Sequence, residues 1–344
     1  MAVTGTTPAR AATPTGTLAP GELEAALERH RAELTGYCYR MLGSPFEAED
    51  AVQDAMVRAW RSADRFEGRS SLRTWLYRIA TNVCLDHLEG RKRRARPMDV
   101  VESRVVEDGL GTARPESDWV LPAPDGWAVP TGADPADRAV AHESITLAFV
   151  AALAHLPARQ RAVLILREVL RWHADEVAAL LDTTVASVNS ALQRARATLD
   201  ARGLDIDSTG TGAAADADEA TRALVARYVD AFERYDIDAF VRLLHDDATQ
   251  HMPPFEMWLK GVGDIGTWML GPGSACRGSR VMATEANGSP AVAQWRPTPE
   301  GGFEPWALHV LEVSDGKVAH ISSFLNLDNE LFLRLGLPVD LDQR

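Results

Sequence analysis

Residues 156–196 read LPARQRAVLILREVLRWHADEVAALLDTTVASVNSALQRAR. An apolar helical stretch is followed by a short helix at Asp175–Leu181, a polar break at Asp182, Thr183 and Thr184, and a second helix from Val185. Two short helices across a tight polar turn make a helix-turn-helix, whose second helix enters the major groove of DNA. On a wheel of 100° per residue with Val188 at zero, Val185, Leu192, Ala195 and Leu199 fall within about 60° and form the packed side. Ala186, Ser187, Ser190, Gln193, Arg194 and Ala197 fall opposite. Small and polar side chains there let a helix sit deep in a groove. Gln193 and Arg194 are long enough for base edges or phosphate, and Thr183 or Thr184 caps the helix. A helical hairpin with a solvated face has the same pattern, so the motif needs a second feature beside it.

That feature lies about a hundred residues upstream. Residues 22–98 read as helical throughout: Leu23, Leu27, His30 and Leu34 begin one stripe, Ala48–Trp60 carries Val52, Met56 and Trp60, and Leu72–Leu88 carries Trp75, Leu76, Ile79, Val83 and Leu88. Asp50, Gln53, Asp54 and Arg58 recur at three- and four-residue spacing, so they share the face opposite Val52 and Met56. Such a polar stripe serves a docking partner or simply solvent. Phe66–Ser71 forms a turn into the third helix, and Arg91-Lys92-Arg93-Arg94 closes the block. Basic and aromatic residues together suit single-stranded DNA, where bases stack or are captured; Trp75, at helical spacing from Ile79, also reads as core.

The 344-residue chain, 46% hydrophobic and 25% charged, is long enough for two or three domains. It holds no run of eighteen apolar residues, and its Ala/Thr/Pro/Gly-rich start at 1–21 has no secretory-signal pattern and reads as a disordered tail. Three scattered cysteines, Cys38, Cys84 and Cys276, with no CxxC pair, argue against a disulfide framework or a zinc site. The net charge of −13 is unevenly spread. Residues 22–98 and 138–203 are each +2, whereas 99–137 carries −7 and 204–344 carries −11. The DNA-facing segments are therefore mildly basic, too weakly to hold DNA on phosphate attraction alone, and call for a larger partner.

Pro115, Pro122, Pro124, Pro130 and Pro135, with many acids, mark 99–137 as a linker without a packed core. Helices resume at Arg138–Leu156 and run to about Arg202, before a flexible linker at 204–218. Residues 219–337 begin with helices at Thr221–Arg234 and Ile237–Leu244. Strands follow at Ala291–Trp295, Trp306–Val313 and Lys317–Phe324, the last pair joined by a Ser314-Asp315-Gly316 turn. This is an α+β pattern, with a tail at 338–344.

The two helical segments together resemble regions 2 and 4 of an extracytoplasmic-function sigma-70 factor of bacterial RNA polymerase. The DAVQDAMVRAW block, the F-G-S-W-L-I-A-N series and LPxxxR ahead of the helix-turn-helix carry the resemblance, over about 22–98 and 138–203. It implies that Asp50, Gln53 and Asp54 grip the polymerase β′ clamp helices. It implies further that Phe66, Gly68, Ser70, Asn82, Arg91 and Arg93 meet the −10 element, with the 66–71 loop capturing a flipped base. Thr183, Thr184, Ser187, Ser190, Gln193 and Arg194 would read the −35 element, beside the β flap. Linkers of the family thread toward the polymerase cleft; Trp119 and Trp127 serve either that path or packing on the C-terminal domain.

The last segment resembles the SnoaL-like (NTF2-like) fold through AFERYDIDAFVRLLHDDATQHMPP, Trp258–Gly261 and the terminal hairpin. The resemblance implies a curved sheet over helices enclosing a cone-shaped pocket, for which His251, Trp258, Trp306 and His309 are the candidate lining, with Met252, Phe255, Trp268 and Trp295 near them. Some relatives do acid–base chemistry there, but the fold hosts many non-enzymatic roles. The expectation is a multidomain chain: a region 2 helical bundle, a region 4 helix-turn-helix domain and an α+β C-terminal domain. It acts in the cytoplasm at the nucleoid, binding core RNA polymerase and promoter DNA. It has no catalytic residue, cofactor or metal, and its own C-terminal domain tunes it. A small-molecule ligand or an anti-sigma partner is left open. The alternative is a DNA-binding module fused to a polyketide- or steroid-type isomerase, a cyclase-like enzyme or a ligand sensor.

Overall fold

The structure, a computed structural model, describes residues 20–66, 68, 70–91, 93–104, 106, 109–127, 144–201, 215–325 and 329–341. Most of the expected tail at 1–21 and of the linker at 204–218 falls outside them, as does the expected helix start at 138–143.

Three helices open the chain: α1 (Pro20–Leu42), α2 (Pro45–Arg61) and α3 (Leu72–Leu88). Ser44 caps α2 by accepting from the Glu47 amide, with Pro45 at the first helical position, and Ser71 caps α3 by accepting from the Thr74 amide at 3.1 Å. Their apolar faces meet around Tyr37, Leu34, Met41, Leu76 and Tyr77, with Cys38 and Cys84 as buried free thiols. Tyr37 packs edge-on to Tyr77 at 5.1 Å and its hydroxyl shares a 2.8 Å hydrogen bond with Thr81. Each such buried apolar side chain contributes about 1.5–3 kcal/mol.

The second helical group comprises α4 (Leu147–Ala154), α5 (Ala158–Leu164, continued by a π turn at Ile165–Val169), α6 (Ala174–Leu180) and α7 (Val185–Asp200). Helix α4 starts at Leu147, where the Thr146 side chain accepts from the Phe149 amide, and residues 144–146 of the expected 138–156 helix are turn and coil. The two groups are pressed together. Arg40 on α1 donates to the carbonyl of Ser144 at 3.0 Å and to its hydroxyl at 2.6 Å. Arg161 on α5 donates to Met41 O, and also to the carbonyls of Ala154 and Leu156. Burial lowers the Arg40 guanidinium to about 10, and burial together with the Arg93 charge lowers Arg161 to about 10. Arg78 on α3 donates to Ala179 O at 2.6 Å, and Tyr77 packs on Trp172 at 5.0 Å.

The acidic, proline-rich stretch was expected to lack a packed core, but its described part, 99–104, 106 and 109–127, is a strap packed against the rest of the chain. Val106 joins the C-terminal core, and Trp119, Val120, Leu121 and Ala123 are buried. Arg104 N donates to Trp258 O, Trp258 Nε1 to Val101 O, and Trp119 Nε1 to Pro254 O, all near 3.0 Å. Arg104 and Arg114 both pair with Glu256. Trp119 thus packs on the C-terminal domain, while Trp127 lies on α1, where a Cβ on Gly36 would come within 2.5 Å of Trp127 O. Composition misled here because the strap needs two foreign surfaces to bury its few apolar side chains.

The C-terminal domain has α8 (Ala215–Glu233), α9 (Ile237–Arg242) and α10 (Val262–Leu270) against a six-stranded sheet, with α11 (Asn329–Arg334) at its end. The strands are β1 (Leu244–His251), β2 (Trp258–Lys260), β3 (Arg280–Ala286), β4 (Ser289–Pro297), β5 (Phe303–Ser314) and β6 (Lys317–Leu325), in the order β2-β1-β6-β5-β4-β3. Only β1 and β6 pair in parallel. Asp315 and Gly316, both with positive φ, close the β5–β6 hairpin, and Asn287 and Gly288 close β3–β4 in the same way. Alternation divides the sheet. Val292, Leu311, Val318 and Ile321 face the α8–α10 core. Ala291, Ala293, Trp295, Leu308, Val310 and Phe324 join one contiguous apolar cluster with the helices of the first two groups and with Phe332.

Candidate nucleic-acid interface

The turn of the helix-turn-helix is built as expected. Asp182 takes a positive φ of 49°, and Thr184 Oγ1 accepts from the Ser187 amide at 3.1 Å, capping α7. Val188, Ala195 and Leu199 are wholly buried, and Thr183, Thr184, Ser187, Ser190, Gln193 and Arg194 are all exposed on one side. Val185 departs from the wheel: it is 42% exposed, because as the first helical residue it lies beside the polar turn rather than beneath another helix. Arg196 pairs with Glu168 at 2.9 Å and fixes α7 to the preceding helical segment, while Arg194 stays open for an external anion.

On α2, Asp50, Gln53 and Asp54 are exposed together, beside Val57 and Trp60. Trp60 was expected to share the buried stripe of Val52 and Met56. It is 60% exposed instead, because Ala59 takes the inward position one residue earlier. The periodic pattern missed this tryptophan as part of the outward face; its place at the helix end, a turn beyond Met56, was the available signal.

At the start of α3, Phe66 leans on Trp75 with ring centroids 5.1 Å apart, so Trp75 supports the loop and is half-buried. Gly68 has a φ of 66°, open to glycine at no cost. Ser70 follows it; Glu67 and Arg69 lie outside the described residues. Asn82 is exposed two turns beyond Trp75, on the same side of α3. Arg91 pairs with Glu47 at 2.7 Å, and Arg94 reaches the same oxygen at 2.8 Å, whereas Arg93 is exposed. Behind this surface Arg73 pairs with Glu33 at 2.9 Å and lies over Trp172 at 5.2 Å. Burial pushes the Glu33 carboxyl up, but the His30 hydrogen bond and the Arg73 charge outweigh it and hold it below its usual range.

The domain of α1–α3 and that of α4–α7 are in contact through α3 and α6. One residue of the C-terminal domain ties them. Asn287, fully buried at the β3–β4 tip, donates through Nδ2 to the Tyr39 hydroxyl at 2.7 Å and to Ile145 O at 2.6 Å, and accepts at Oδ1 from the Ala123 amide at 2.8 Å. Tyr39 in turn donates to Leu121 O. On α11, Arg334 pairs with Glu49 and lies over Phe46, next to the acidic stripe of α2.

Of the four candidate pocket residues, Trp306 and His309 line a cavity of about 120 Å³ with Tyr228, Phe232 and Gln250. His251 and Trp258 do not: His251 is buried on the other side of β1, 4.7 Å from His320, and Trp258 is held by Val101 O. Burial lowers His309 to about 4; burial and then the Arg96 charge lower His320 to about 3, and burial puts His251 well below its ordinary value, with His320 adding to the shift. Among the described residues no cluster of three or more His, Cys, Asp or Glu side chains is placed to hold a metal.

Comparison with known proteins follows the same division. The Sigma-70 region 2 profile matches residues 26–94, the Sigma-70, region 4 profile 146–199 and the SnoaL-like domain profile 225–321. The chain is 43% identical over 323 residues to the ECF RNA polymerase sigma factor SigG of Mycobacterium tuberculosis, across 93% of this chain and 85% of that relative. It is 30% identical to the ECF RNA polymerase sigma factor SigW of Bacillus subtilis over 47% of this chain and 78% of that one. Its fold is similar to the crystal structure of the Mycobacterium tuberculosis extracytoplasmic function sigma factor SigJ, with a TM-score of 0.56 and 21% identity over 93% of this chain and all of the other.

Proposed function

Because the chain belongs to the ECF RNA polymerase sigma factors, with region 2, region 4 and a C-terminal SnoaL-like domain, we propose that it directs core RNA polymerase to promoters and that its C-terminal domain restrains it in cis. In this reading Asp50, Gln53 and Asp54, with Trp60, dock on the β′ clamp helices. Phe66, Gly68, Ser70, Asn82, Arg91 and Arg93 engage the −10 element, and Thr183, Thr184, Ser187, Ser190, Gln193 and Arg194 read the −35 element next to the β flap. The divisions at 22–98, 138–203 and 219–337 are the working units. The site of action is the nucleoid in the cytoplasm; among the described residues no helix is long and apolar enough to cross a membrane.

One observation carries the restraint. Elements centred at −35 and −10 lie about 25 base pairs apart, roughly 85 Å at 3.4 Å per pair. Here the domains that carry the two readers are in direct contact, Arg78 to Ala179, and Asn287 fastens α1, the strap and the segment before α4 to one hairpin. The two readers reach both elements only after parting. The weakly basic readers then rely on the polymerase for much of their affinity.

The C-terminal domain acts as a regulator rather than an enzyme. Among the described residues the cavity lining includes no carboxylate, and both ring nitrogens of His309 are engaged, by Ser323 and Gln294. Transcription in vitro with core enzyme, comparing the full chain with residues 1–203, tests this. Deletion is expected to change promoter output without abolishing polymerase binding, and unchanged output would sink the cis restraint.

A further inference from the structure

A basic cleft opens where three parts of the chain meet. Its volume is about 510 Å³, and common ligand sites span roughly 300–1,000 Å³. The end of the first helical domain gives it Arg91, Arg93 and Arg94, the strap gives Asp118, and the second helical domain gives Ala158 and Arg161. Its lining holds four guanidiniums against two carboxylates, Glu47 and Asp118, an excess of two positive charges.

The pairing inside the cleft leaves that excess in place. Arg91 and Arg94 share one oxygen of Glu47, at 2.7 and 2.8 Å. Among the described residues neither Arg93 nor Arg161 is paired with a carboxylate. Arg161 is buried and gives its donors to the carbonyls of Met41, Ala154 and Leu156. Burial first, and then the Arg93 charge, lower it to about 10, so the two like charges bear on each other. An anion near both relieves that repulsion. Two of the guanidiniums are also fixed in advance: Arg161 by its three carbonyls, and Arg94 by donating to Glu116 O at 2.9 Å and Trp119 O at 2.6 Å. A fixed guanidinium fork matches phosphate oxygens and loses little freedom on binding.

Size and charge define the occupant. A cleft of about 510 Å³ has no room for a duplex, whose major groove alone is about 12 Å wide. An excess of two charges, on guanidiniums from different parts of the chain, calls for a multivalent anion with oxygens on several sides. We propose that this cleft binds the pyrophosphate group of a small molecule, and that the bound group bridges the two helical domains and keeps them together. The binding stands apart from the cis restraint; the bridging rests on the reading that the closed chain is the restrained one. Arg91 and Arg93, which engage the −10 element in that reading, are then occupied while the chain is closed.

Calorimetry on the full chain, in magnesium-free buffer at fixed ionic strength, tests the site with pyrophosphate and adenosine diphosphate as probes. Saturable binding of one probe molecule per chain is expected. Tighter binding of pyrophosphate assigns the free anion, tighter binding of adenosine diphosphate assigns a nucleotide, and either supports the site. Arg93→Ala is expected to weaken binding about tenfold. Ala158→Glu sets a carboxylate on the opposite domain, in the first turn of α5 where a negative charge suits the helix. It is expected to weaken binding at least as much, with the melting temperature kept within a few degrees. Absence of saturable binding of both probes, or binding that either variant leaves unchanged, would overturn the assignment without touching the restraint. Capture by core polymerase, with and without the tighter probe, then tests the bridge. A probe-dependent fall in capture that Ala158→Glu removes supports it, and probe binding with unchanged capture overturns the bridge alone.

Discussion

Asn287 Nδ2 lies 2.7 Å from the hydroxyl of Tyr39, 248 residues earlier in the chain, and both groups are buried. The hairpin tip of the C-terminal sheet thus completes the polar pairing of the first helix. Tyr39 spends its own proton on Leu121 O, so it needs the donor that Asn287 supplies. The positive φ of Asn287, 55°, suits asparagine among non-glycine residues. Asn287→Asp keeps the shape and the Oδ acceptor but puts an anion against the Tyr39 oxygen and Ile145 O. It is expected to destabilise the closed form by about 2–4 kcal/mol. Denaturant unfolding measures this, and limited proteolysis should show faster cleavage in the strap at 109–127.

The acidic stripe on α2 is a surface feature, so changing it should leave the fold intact. Asp54→Arg is expected to alter stability by no more than about 0.5 kcal/mol yet to abolish capture by core polymerase. Trp60→Ala is expected to weaken capture as well, because a large exposed tryptophan beside the stripe has the make-up of an interface anchor. Pull-down at matched concentration reads both.

Gln193 and Arg194 separate base reading from phosphate contact. Gln193→Ala is expected to cost about 1–3 kcal/mol at a cognate −35 element and to blur preference at one position. Arg194→Ala should weaken binding evenly across sequences and reduce the salt slope by about 1. Promoter-variant titrations with holoenzyme at two salt concentrations distinguish the two.

His320 is held neutral by burial and by the Arg96 charge, lowered to about 3 from an ordinary value near 6.5. The unfolded chain therefore binds the proton more readily than the folded one between pH 3 and 6.5, so the fold loses stability as pH falls through that window. At pH 5 the loss from this group is about 2 kcal/mol. His320→Gln is expected to flatten the stability profile between pH 7 and 5 by about that amount, measured by urea midpoints. An unchanged slope would mean that His320 is not the proton sink.

The helix-turn-helix was legible because its signals are local: a threonine cap, a polar turn and inward residues at helical spacing. The β5–β6 hairpin was legible for the same reason, through Asp315-Gly316. Strand β1 was legible only toward His251, since its LHDDATQH sequence is polar and its full length is set by pairing with β6, some seventy residues away. The pocket shows the limit most plainly. Gln250 and Met252 line the cavity, and His251 between them points to the opposite side with Trp258, its register partner on β2. A period of two reverses which residues face a ligand, and only the register of the sheet reveals the sense. The strap was missed because its burial is supplied by surfaces elsewhere in the chain.

The most direct test of the account is the distance between the two readers, followed by energy transfer between dyes at exposed Glu89 and Ala197. The free full-length chain should give one high-efficiency state, and adding core polymerase with a cognate promoter should shift it to low efficiency as the readers part toward about 85 Å. Asn287→Asp should lower the efficiency even before polymerase is added. An efficiency that stays the same in the free chain and in the promoter complex would contradict the closed, self-restrained state.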